Sequence, residues 1–535
     1  MARRLKGFKG ILKMKSLLSS SSSSTRCCSI NTALLSLFLI FPTTALLFLL
    51  DNKVESVSRT ATVAGHNLDP TPWHPFTPLT HSGNKYSVAS TILKCSYLTT
   101  CPPSPNLSSV QRSGNHSSSS SYCPSFFQWI HEDLAPWRRS RISLHKLLEA
   151  QRFAAFRVVI VGGRLYVDFY YACVQSRAMF TVWSFLQLIK RYPGRVPDVD
   201  LMFDCMDRPT VRRSEYKSPR WPPPPLFRYC STKDHFDIPF PDWSFWGWPE
   251  VNLESWDKEF SSIKKVSQTL NWESKQALAY WKGNPDVQSP VRTELMKCND
   301  STIWSTKILR QDWAKEASAG YEQSKLANQC NHKYKIYAEG YAWSVSLKYI
   351  LSCGSLPLII TPRYYDFFSR GLMPRENYFP VRATKLCRSI KHAVDWSNKH
   401  PFEAEAIGRG AQGFMQELDM ETVYSYMFHL LVEYSKLQDF KPSALPSTKL
   451  LCEESVLCFA DPVQRRSLER SSVPVPTSNF SGPCMRPLPD HDLVKRWMQQ
   501  KTDITNDIKR MEDAFEKRRE PLWPVDSGLV AEKAN

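Results

Sequence analysis

Residues 330–360 carry the clearest succession of hydrophobic patterns in the chain. An aromatic and aliphatic run at 334–338 predicts a strand, small residues around Gly340 predict a tight loop, and a helix is expected to begin near Trp343. A second apolar strand follows at 356–360, and a further helix is predicted over 363–370. This order predicts a βαβ unit, the half-domain that often binds nucleotides.

The loop of this unit is a candidate anion site. Free N–H groups and the positive end of a helix dipole meet at such a loop. Ser344 and Ser346 offer hydroxyl groups to a diphosphate, and Lys348 offers a positive charge. The pattern alone does not identify a ligand, because most βαβ units bind nothing there.

The rest of the chain divides into two alternating α/β blocks. A hairpin is predicted over 158–169 around Gly162 and Gly163, followed by a helix at 178–191 and a buried strand at 199–205. Four prolines from Pro222 to Pro225 predict an irregular loop. We predict domains at 121–275 and 276–440, and a surface tail at 441–535 with a charged helix near 490–518.

The N-terminal region predicts a membrane anchor and a stem. Residues 30–50 hold no charge and are long enough to cross a hydrocarbon core of about 30 Å. Residues 1–29 contain seven basic and no acidic side chains, which predicts a cytosolic tail. Residues 51–120, rich in Ser, Thr and Pro, predict a disordered stem. A cleaved signal peptide is the alternative to an anchor, and either places the body in the lumen.

Charge and cysteine content refine this picture. The net charge of +18 suggests nucleic acid at first, but seven of the basic residues lie before the span, so we expect no nucleic-acid partner. Fifteen cysteines suit an oxidising compartment and form no zinc pattern. N-glycosylation triplets begin at Asn106, Asn115, Asn299 and Asn479. The C-terminus shows no retrieval tetrapeptide, which favours the Golgi membrane over that of the ER.

Several ordered motifs carry a family resemblance. They include Cys-Pro-Ser-Phe-Phe-Gln-Trp at 123–129, Trp-Gly-Trp-Pro at 246–249, Ala-Tyr-Trp-Lys-Gly-Asn at 279–284 and Tyr-Ala-Trp-Ser-Val-Ser at 341–346. Over about residues 120–440 the chain resembles the protein O-glucosyltransferase (Rumi, family-ninety glycosyltransferase) family. Its Trp-Gly-Trp-Pro and Tyr-Ala-Trp-Ser-Val-Ser motifs are more similar to the plant branch of that family than to the animal branch.

The resemblance implies a fold and an activity. The fold is GT-B-like, with two Rossmann-like domains facing a cleft. The activity is an inverting, metal-independent transfer of glucose or xylose from a UDP-sugar to a hydroxyl of a glycan or a protein. A non-catalytic luminal sugar-binding or scaffold protein is the alternative. The sugar, the linkage and the acceptor stay open.

Asp207 is the candidate base. It follows the predicted strand 199–205, at the end where α/β active sites gather, and it matches the family's catalytic acid. The alternative is a turn aspartate ahead of Pro209. Asp204 is expected to support the same loop.

The candidate donor site also follows from the resemblance. Lys282 matches a cation near the donor phosphates, although a surface lysine is the alternative, and Gly283 allows close backbone approach. The diphosphate loop maps onto Tyr341, Ala342, Trp343, Ser344, Val345 and Ser346. Animal members carry Arg where Ser346 stands, so the phosphate cation is expected from Lys348, Lys282 or Arg363.

Other acidic, aromatic and histidine residues were also considered as site residues. Asp198 and Asp200 form a D-x-D, which we interpret as a solvated strand start, so no metal is expected. Trp243, Phe245, Trp246 and Trp248 form either a sugar-stacking wall or core. The resemblance assigns Trp248, Pro249 and Glu250 to the acceptor edge of the cleft. His131 and His235 are interpreted as structural.

The resemblance also pairs two cysteines. Cys330 and Cys353 match paired family positions and are predicted to form a disulfide. Cys173 is expected to lack a nearby partner, because Met179 stands where the family has its second cysteine.

Overall fold

The structure, a computed structural model, describes residues 101, 122–218, 221–474 and 482–519. All of them belong to one compact unit, Asp69–Asn535. The predicted cytosolic tail, the span 30–50, nearly all of the 51–120 stem, and Asn106, Asn115 and Asn479 lie outside the described residues. Within the described ranges, no helix has the length and apolar composition needed to cross a membrane.

The described residues form an α/β structure. Its strands are β1 (Phe156–Val161), β2 (Arg164–Phe169), β3 (Val199–Phe203), β4 (Phe227–Arg228), β5 (Ser231–Thr232), β6 (Ile238–Pro239), β7 (Gln276–Gly283), β8 (Thr306–Arg310), β9 (His332–Tyr337), β10 (Leu356–Ile360), β11 (Tyr364–Tyr365), β12 (Phe379–Val381) and β13 (Lys449–Leu451). Its helices are α1 (Trp129–Leu134), α2 (Leu144–Glu149), α3 (Arg177–Arg191), α4 (Trp256–Thr269), α5 (Pro290–Met296), α6 (Trp313–Ser318), α7 (Ser346–Leu351), α8 (Leu386–Lys399), α9 (Pro401–Glu417), α10 (Met420–Leu437), α11 (Glu453–Phe459), α12 (Pro462–Arg470) and α13 (His491–Arg519).

The first sheet is mixed, with strand order β13-β2-β1-β3-β4-β6. β1 runs antiparallel to both β2 and β3, whereas β3, β4 and β6 are parallel. The predicted hairpin is confirmed, since Gly162 and Gly163 adopt positive φ angles of 56° and 71° in its two-residue turn. A turn this short joins only antiparallel strands, so among the described strands of this sheet β3, β4 and β6 keep the parallel arrangement of the Rossmann-like domain that we expected, and β1 and β2 depart from it.

The second sheet is parallel throughout, with order β12-β10-β9-β7-β8. Here β9, α7 and β10 form the predicted βαβ unit, and every residue of β10 is buried. The helix predicted over 363–370 is wrong. β11 pairs there with β5 of the first half, and the buried Glu339 carboxylate accepts the N–H groups of Arg363 and Tyr364.

The C-terminal region returns to the first half earlier than the predicted boundary at 440. α10 packs against α1, α3 and β3, and β13 adds an edge strand beside β2. α10 is long and mostly buried, so it needs apolar partners on several sides. The predicted charged helix is confirmed as α13, which contacts α8 of the second half.

The disulfides confirm one pairing and correct another. Cys330 and Cys353 are bonded as predicted. Cys173 does have a partner, Cys205, which lies 32 residues later with a Cα–Cα distance of 5.9 Å. The prediction failed because it considered only a partner nearby in sequence, whereas the sheet brings the ends of β2 and β3 together. Further bonds join Cys101 to Cys452, Cys123 to Cys484, and Cys298 to Cys387.

Candidate active site

A cleft lies where the two halves meet. Its cavity of about 290 Å³ is lined from the first half by Arg177, Asp207, Trp243 and Trp248. The second half contributes residues at the carboxyl ends of its parallel strands, the edge at which such sheets bind ligands. These include Trp281, Lys282, Gly283, Arg292, Tyr341, Trp343, Ser344, Val345 and Ser346.

The loop that carries Asp207 is held by a buried ionic cluster. The Asp204 carboxylate accepts hydrogen bonds from Tyr171, Arg228 and the backbone N–H of Met206, the last at 3.1 Å. Burial raises the pKa of Asp204, and the Arg228 guanidinium opposes that shift. The expectation that Asp204 supports the loop is confirmed, and the Cys173–Cys205 bond ties the same loop to the end of β2.

Asp207 itself faces the cleft. Its Oδ1 accepts a hydrogen bond from Arg177 Nη1 at 2.6 Å, and its side chain is 30% exposed. Arg177 lies over the Trp243 ring, 4.3 Å from its centroid. No described backbone N–H donates to the Asp207 carboxylate, as a turn aspartate would require. The arrangement offers one anchored oxygen and leaves the other for a ligand.

The loop 341–346 lies across the cleft from Asp207 and is connected to it. Arg208 donates from Nε to the Tyr341 carbonyl at 3.2 Å, and its guanidinium lies 3.8 Å from the Tyr341 ring centroid. The hydroxyls of Ser344 and Ser346 are 2.9 Å apart. Ala342 is buried and does not line the cleft. The base loop and the candidate donor loop therefore support each other directly.

The structure distinguishes among the predicted phosphate cations. Lys282 lines the cleft, but its Nζ donates to Glu316 Oε1 and to the Gln323 carbonyl, each at 2.8 Å. Lys348 is 1% exposed and does not line the cleft. Arg363 lies outside the cleft lining, in a neighbouring cavity.

Gly283 is required by packing. A Cβ atom there would lie 2.4 Å from the Trp281 ring. A side chain at this position would therefore displace a wall of the cleft.

Arg292 is the cation that the sequence did not reveal. It lies in the first turn of α5, donates from Nη1 to the Asn284 carbonyl at 2.9 Å, and reaches Ser344 Oγ at 3.3 Å. Burial lowers the pKa of Arg292, and no described carboxylate forms an ion pair with it. A half-buried cation without a described carboxylate partner beside the 341–346 loop is suited to a diphosphate. The only sequence signal for this cation is that Arg292 closely follows Ser289-Pro290, a pair typical of the start of a helix.

The predicted aromatic residues occupy two different environments, the cleft and the core. Trp248 lines the cleft, donates from Nε1 to Gln175 Oε1 at 2.9 Å, and packs 5.0 Å from Trp243. Phe245 and Trp246 are fully buried core residues.

Pro249 and Glu250, also predicted at the acceptor edge, do not line the cleft cavity. They form a short turn, Pro249–Val251, just behind Trp248. Glu250 accepts a hydrogen bond from Ser176 Oγ at 2.8 Å, and burial raises its pKa.

The D-x-D residues are placed away from the cleft. Asp198 accepts a hydrogen bond from the Gly162 N–H at 2.8 Å. Asp200 is 1% exposed and pairs with Arg157, whose Nε lies 2.7 Å from Oδ1. The solvated strand start that we expected is therefore wrong for Asp200, because the buried ends of β1 and β3 need that ion pair to neutralise Arg157.

The remaining predicted residues also have structural partners. His131 lies 2.9 Å from Arg486, and burial lowers its pKa to about 4. His235 contacts Thr232 at 2.7 Å. Asn299 is exposed, as a glycan acceptor requires, and its Oδ1 accepts the Ile308 N–H at 2.8 Å.

Comparison with known proteins gives a consistent result. The family model described as "Glycosyl transferase family 90" matches residues 118–512, which include every cleft residue named above. Protein O-glucosyltransferase 1 of Bos taurus is 28% identical over 341 residues, covering 60% of this chain and 82% of that protein, and its Homo sapiens counterpart matches to the same extent. O-glucosyltransferase rumi of Drosophila melanogaster is 25% identical over 325 residues, covering 58% and 77%.

Proposed function

We propose, from the premise that this chain belongs to glycosyl transferase family 90 and is a glycosyltransferase, that it inverts at the anomeric carbon without a metal. The donor is a UDP-sugar carrying glucose or xylose, and the acceptor is a hydroxyl of a glycan or a protein in the secretory pathway. The observation that carries the proposal is the placement of the Asp207 carboxylate, the Arg292 guanidinium and the 341–346 loop in one cleft.

Asp207 acts as the general base. Its oxygen not bound to Arg177 accepts the proton of the acceptor hydroxyl as that oxygen attacks the anomeric carbon. The bond from that carbon to the diphosphate breaks on the opposite face, so the configuration inverts. Arg177 holds the carboxylate in place through its 2.6 Å contact, and Trp248 in the same cleft lining offers an aromatic surface for a sugar ring.

Positive charge on the second half stabilises the leaving UDP. Arg292 is nearest to the serine hydroxyls of the 341–346 loop, and Lys282 lines the same wall. Preorganised cations and hydroxyls in a partly enclosed cleft stabilise developing charge more than water does. They serve the role that a D-x-D metal serves in GT-A enzymes, which supports a metal-independent mechanism and a GT-B-like arrangement.

The proposed setting is the lumen of the Golgi, with the ER second. The uncharged span 30–50 behind seven basic residues supports a type II anchor. The disulfides in the folded body support an oxidising compartment. The named relatives support O-linked glucosyl transfer as one candidate reaction.

A donor screen with the purified full-length protein tests this function. UDP release is measured with UDP-glucose, UDP-xylose and other UDP-sugars, with and without oligosaccharide or folded-domain acceptors. We expect release from UDP-glucose or UDP-xylose that an acceptor accelerates. Binding of UDP-sugars without release under any acceptor would instead indicate the non-catalytic sugar-binding alternative.

A further inference from the structure

A further cavity adjoins the cleft, and a groove in turn adjoins that cavity. The first, here the middle cavity, has a volume of about 310 Å³ and shares Trp343 with the cleft lining. The second, the outer groove, has a volume of about 790 Å³ and shares Lys233, Tyr365, Arg370 and Lys501 with the middle cavity. Both volumes lie in the range of about 300–1,000 Å³ typical of ligand sites. Together they extend from the wall of the cleft towards α1 and α13.

The outer groove is positively charged. Arg213, Lys217 and Lys233 line it and are exposed, and no described carboxylate forms an ion pair with any of them. Lys501, which lines both spaces, donates to the Arg370 carbonyl. Burial lowers the pKa of Lys501 to about 8, so it still carries a proton in a mildly acidic lumen.

The acidic residues that line the groove are hydrogen-bonded to other side chains. Asp133 accepts a hydrogen bond from Arg370 Nη1 at 2.8 Å, and Glu132 contacts His491 Nδ1 at 2.5 Å. Five cations against these two carboxylates leave the lining of the groove with a net positive charge, which favours an anionic occupant.

Aromatic surfaces occur among these cations. Trp221 is 70% exposed on the four-proline loop, whose Pro223 carbonyl accepts a hydrogen bond from the buried Trp137 indole at 2.8 Å. Trp129 lines the groove, and its indole N–H has no partner among the described residues. Tyr365 lines both the groove and the middle cavity. An exposed tryptophan near cations that have no described carboxylate partner favours a ligand with both flat apolar faces and carboxylates.

We propose that the outer groove and the middle cavity bind a glycan chain that contains uronic acids, as the extended part of an acceptor whose reactive hydroxyl lies at Asp207. The C–H faces of pyranose rings pack on Trp221 and Tyr365, and uronate carboxylates pair with Arg213, Lys217 and Lys233. This inference rests on the proposed glycosyl transfer and assigns its acceptor to acidic glycans.

The test measures direct binding by the full-length protein without any donor. The probes are an oligogalacturonide, a neutral xylo-oligosaccharide of the same length, and a poly-glutamate peptide of matched charge. We expect the oligogalacturonide to bind, to bind at least tenfold more weakly in the double variant Arg213→Gln/Lys233→Gln and in Trp221→Ala, and to weaken with added salt. Lys265→Gln on α4 and Phe402→Ala on α9, both exposed and outside these cavities, are the matched controls and should bind normally.

Each other outcome overturns the inference. Equal binding of the neutral oligosaccharide would show that the cations select nothing, and equal binding of the peptide would indicate a protein ligand. If the oligogalacturonide did not bind, or bound equally well to both groove variants, the groove would not be its binding site.

A second readout separates this inference from the proposed function. UDP release from the donor into water should persist in Trp221→Ala, while Asp207→Asn should still bind the oligogalacturonide. If the wild-type protein turned over no donor, that result would contradict the glycosyltransferase mechanism, whereas the measured binding of the oligogalacturonide would remain valid.

Discussion

Replacing Asp207 by Asn should abolish sugar transfer while the fold and UDP binding persist. The amide is nearly isosteric, and its oxygen can still accept the hydrogen bond from Arg177 Nη1, now at 2.6 Å from the carboxylate. It cannot accept a proton from the acceptor at neutral pH. The change therefore removes the base and leaves the cleft geometry in place.

The size of the effect follows from the role. Loss of a general base costs about 10²–10⁴-fold in rate, which is about 3–5 kcal/mol of transition-state stabilisation. Loss of the negative charge leaves Arg177 without its ionic partner, which should lower the free energy of unfolding by about 1–3 kcal/mol. The variant should therefore melt a few degrees lower and remain folded at assay temperature.

The assay measures UDP release with saturating acceptor, UDP affinity by calorimetry, and melting by circular dichroism. Asp198→Asn is the matched control, since Asp198 is an exposed aspartate that contacts only the Gly162 N–H among the described residues. A folded Asp207→Asn protein that transfers sugar within a few-fold of wild type would show that Asp207 is a loop residue and that another group is the base.

Four further predictions concern the donor site, the fold and metal. Arg292→Ala should weaken UDP binding by about 10- to 100-fold, whereas Lys348→Ala should lower the melting temperature; the reverse pattern would return the phosphate role to Lys348. Cys330→Ser/Cys353→Ser should destabilise the fold by about 3 kcal/mol in chemical unfolding, because the bond closes a loop of 23 residues. Burial raises the pKa of Glu339 from 4.5 to about 7. Between pH 4.5 and 7 the folded state therefore keeps a proton on Glu339 that the unfolded state has released. Between pH 4.5 and 7 the free energy of unfolding of the wild type should therefore fall by about 3 kcal/mol relative to that of Glu339→Gln, which retains every other titrating group; a difference between the two proteins that does not change with pH would refute the assignment. EDTA should leave the wild-type rate unchanged, and activity lost to EDTA and restored by Mn²⁺ would refute metal independence.

Local patterns predicted the elements whose hydrogen bonds are local. The β1–β2 hairpin follows from two glycines between alternating apolar runs, and the β9–α7–β10 unit follows from a strand, a small loop and a second apolar strand. The length and charge of α13 were visible in the same way. In each case the signal is periodicity within fewer than 35 residues.

Features that depend on distant partners were not predictable in this way. The segment 363–370 was predicted as a helix, but Tyr364 and Tyr365 pair with β5 of the first half, and Glu339 accepts the N–H groups of Arg363 and Tyr364. α10 continues the run of helices in sequence but packs on the first half. Both outcomes are set by groups more than 20 residues away, which no local pattern contains.

The phosphate cation shows how burial decides a role that composition leaves open. Lys348 and Arg292 both lie in the first turn of a helix near the cleft, and of these two the sequence pointed to Lys348. Lys348 points into the core, where its Nζ donates to Ser244 Oγ at 2.7 Å and lies 3.5 Å from Asp242. Burial lowers its pKa, and Asp242 opposes that shift.

This ion pair has a consequence for catalysis. Asp242 belongs to the first half and Lys348 to the helix that follows the 341–346 loop, so the pair fixes the donor loop relative to the half that carries Asp207. The Arg208–Tyr341 contact acts between the same two parts. A lysine predicted to bind phosphate instead holds the 341–346 loop at its distance from Asp207, and Arg292 is the half-buried cation of the cleft lining that has no described carboxylate partner.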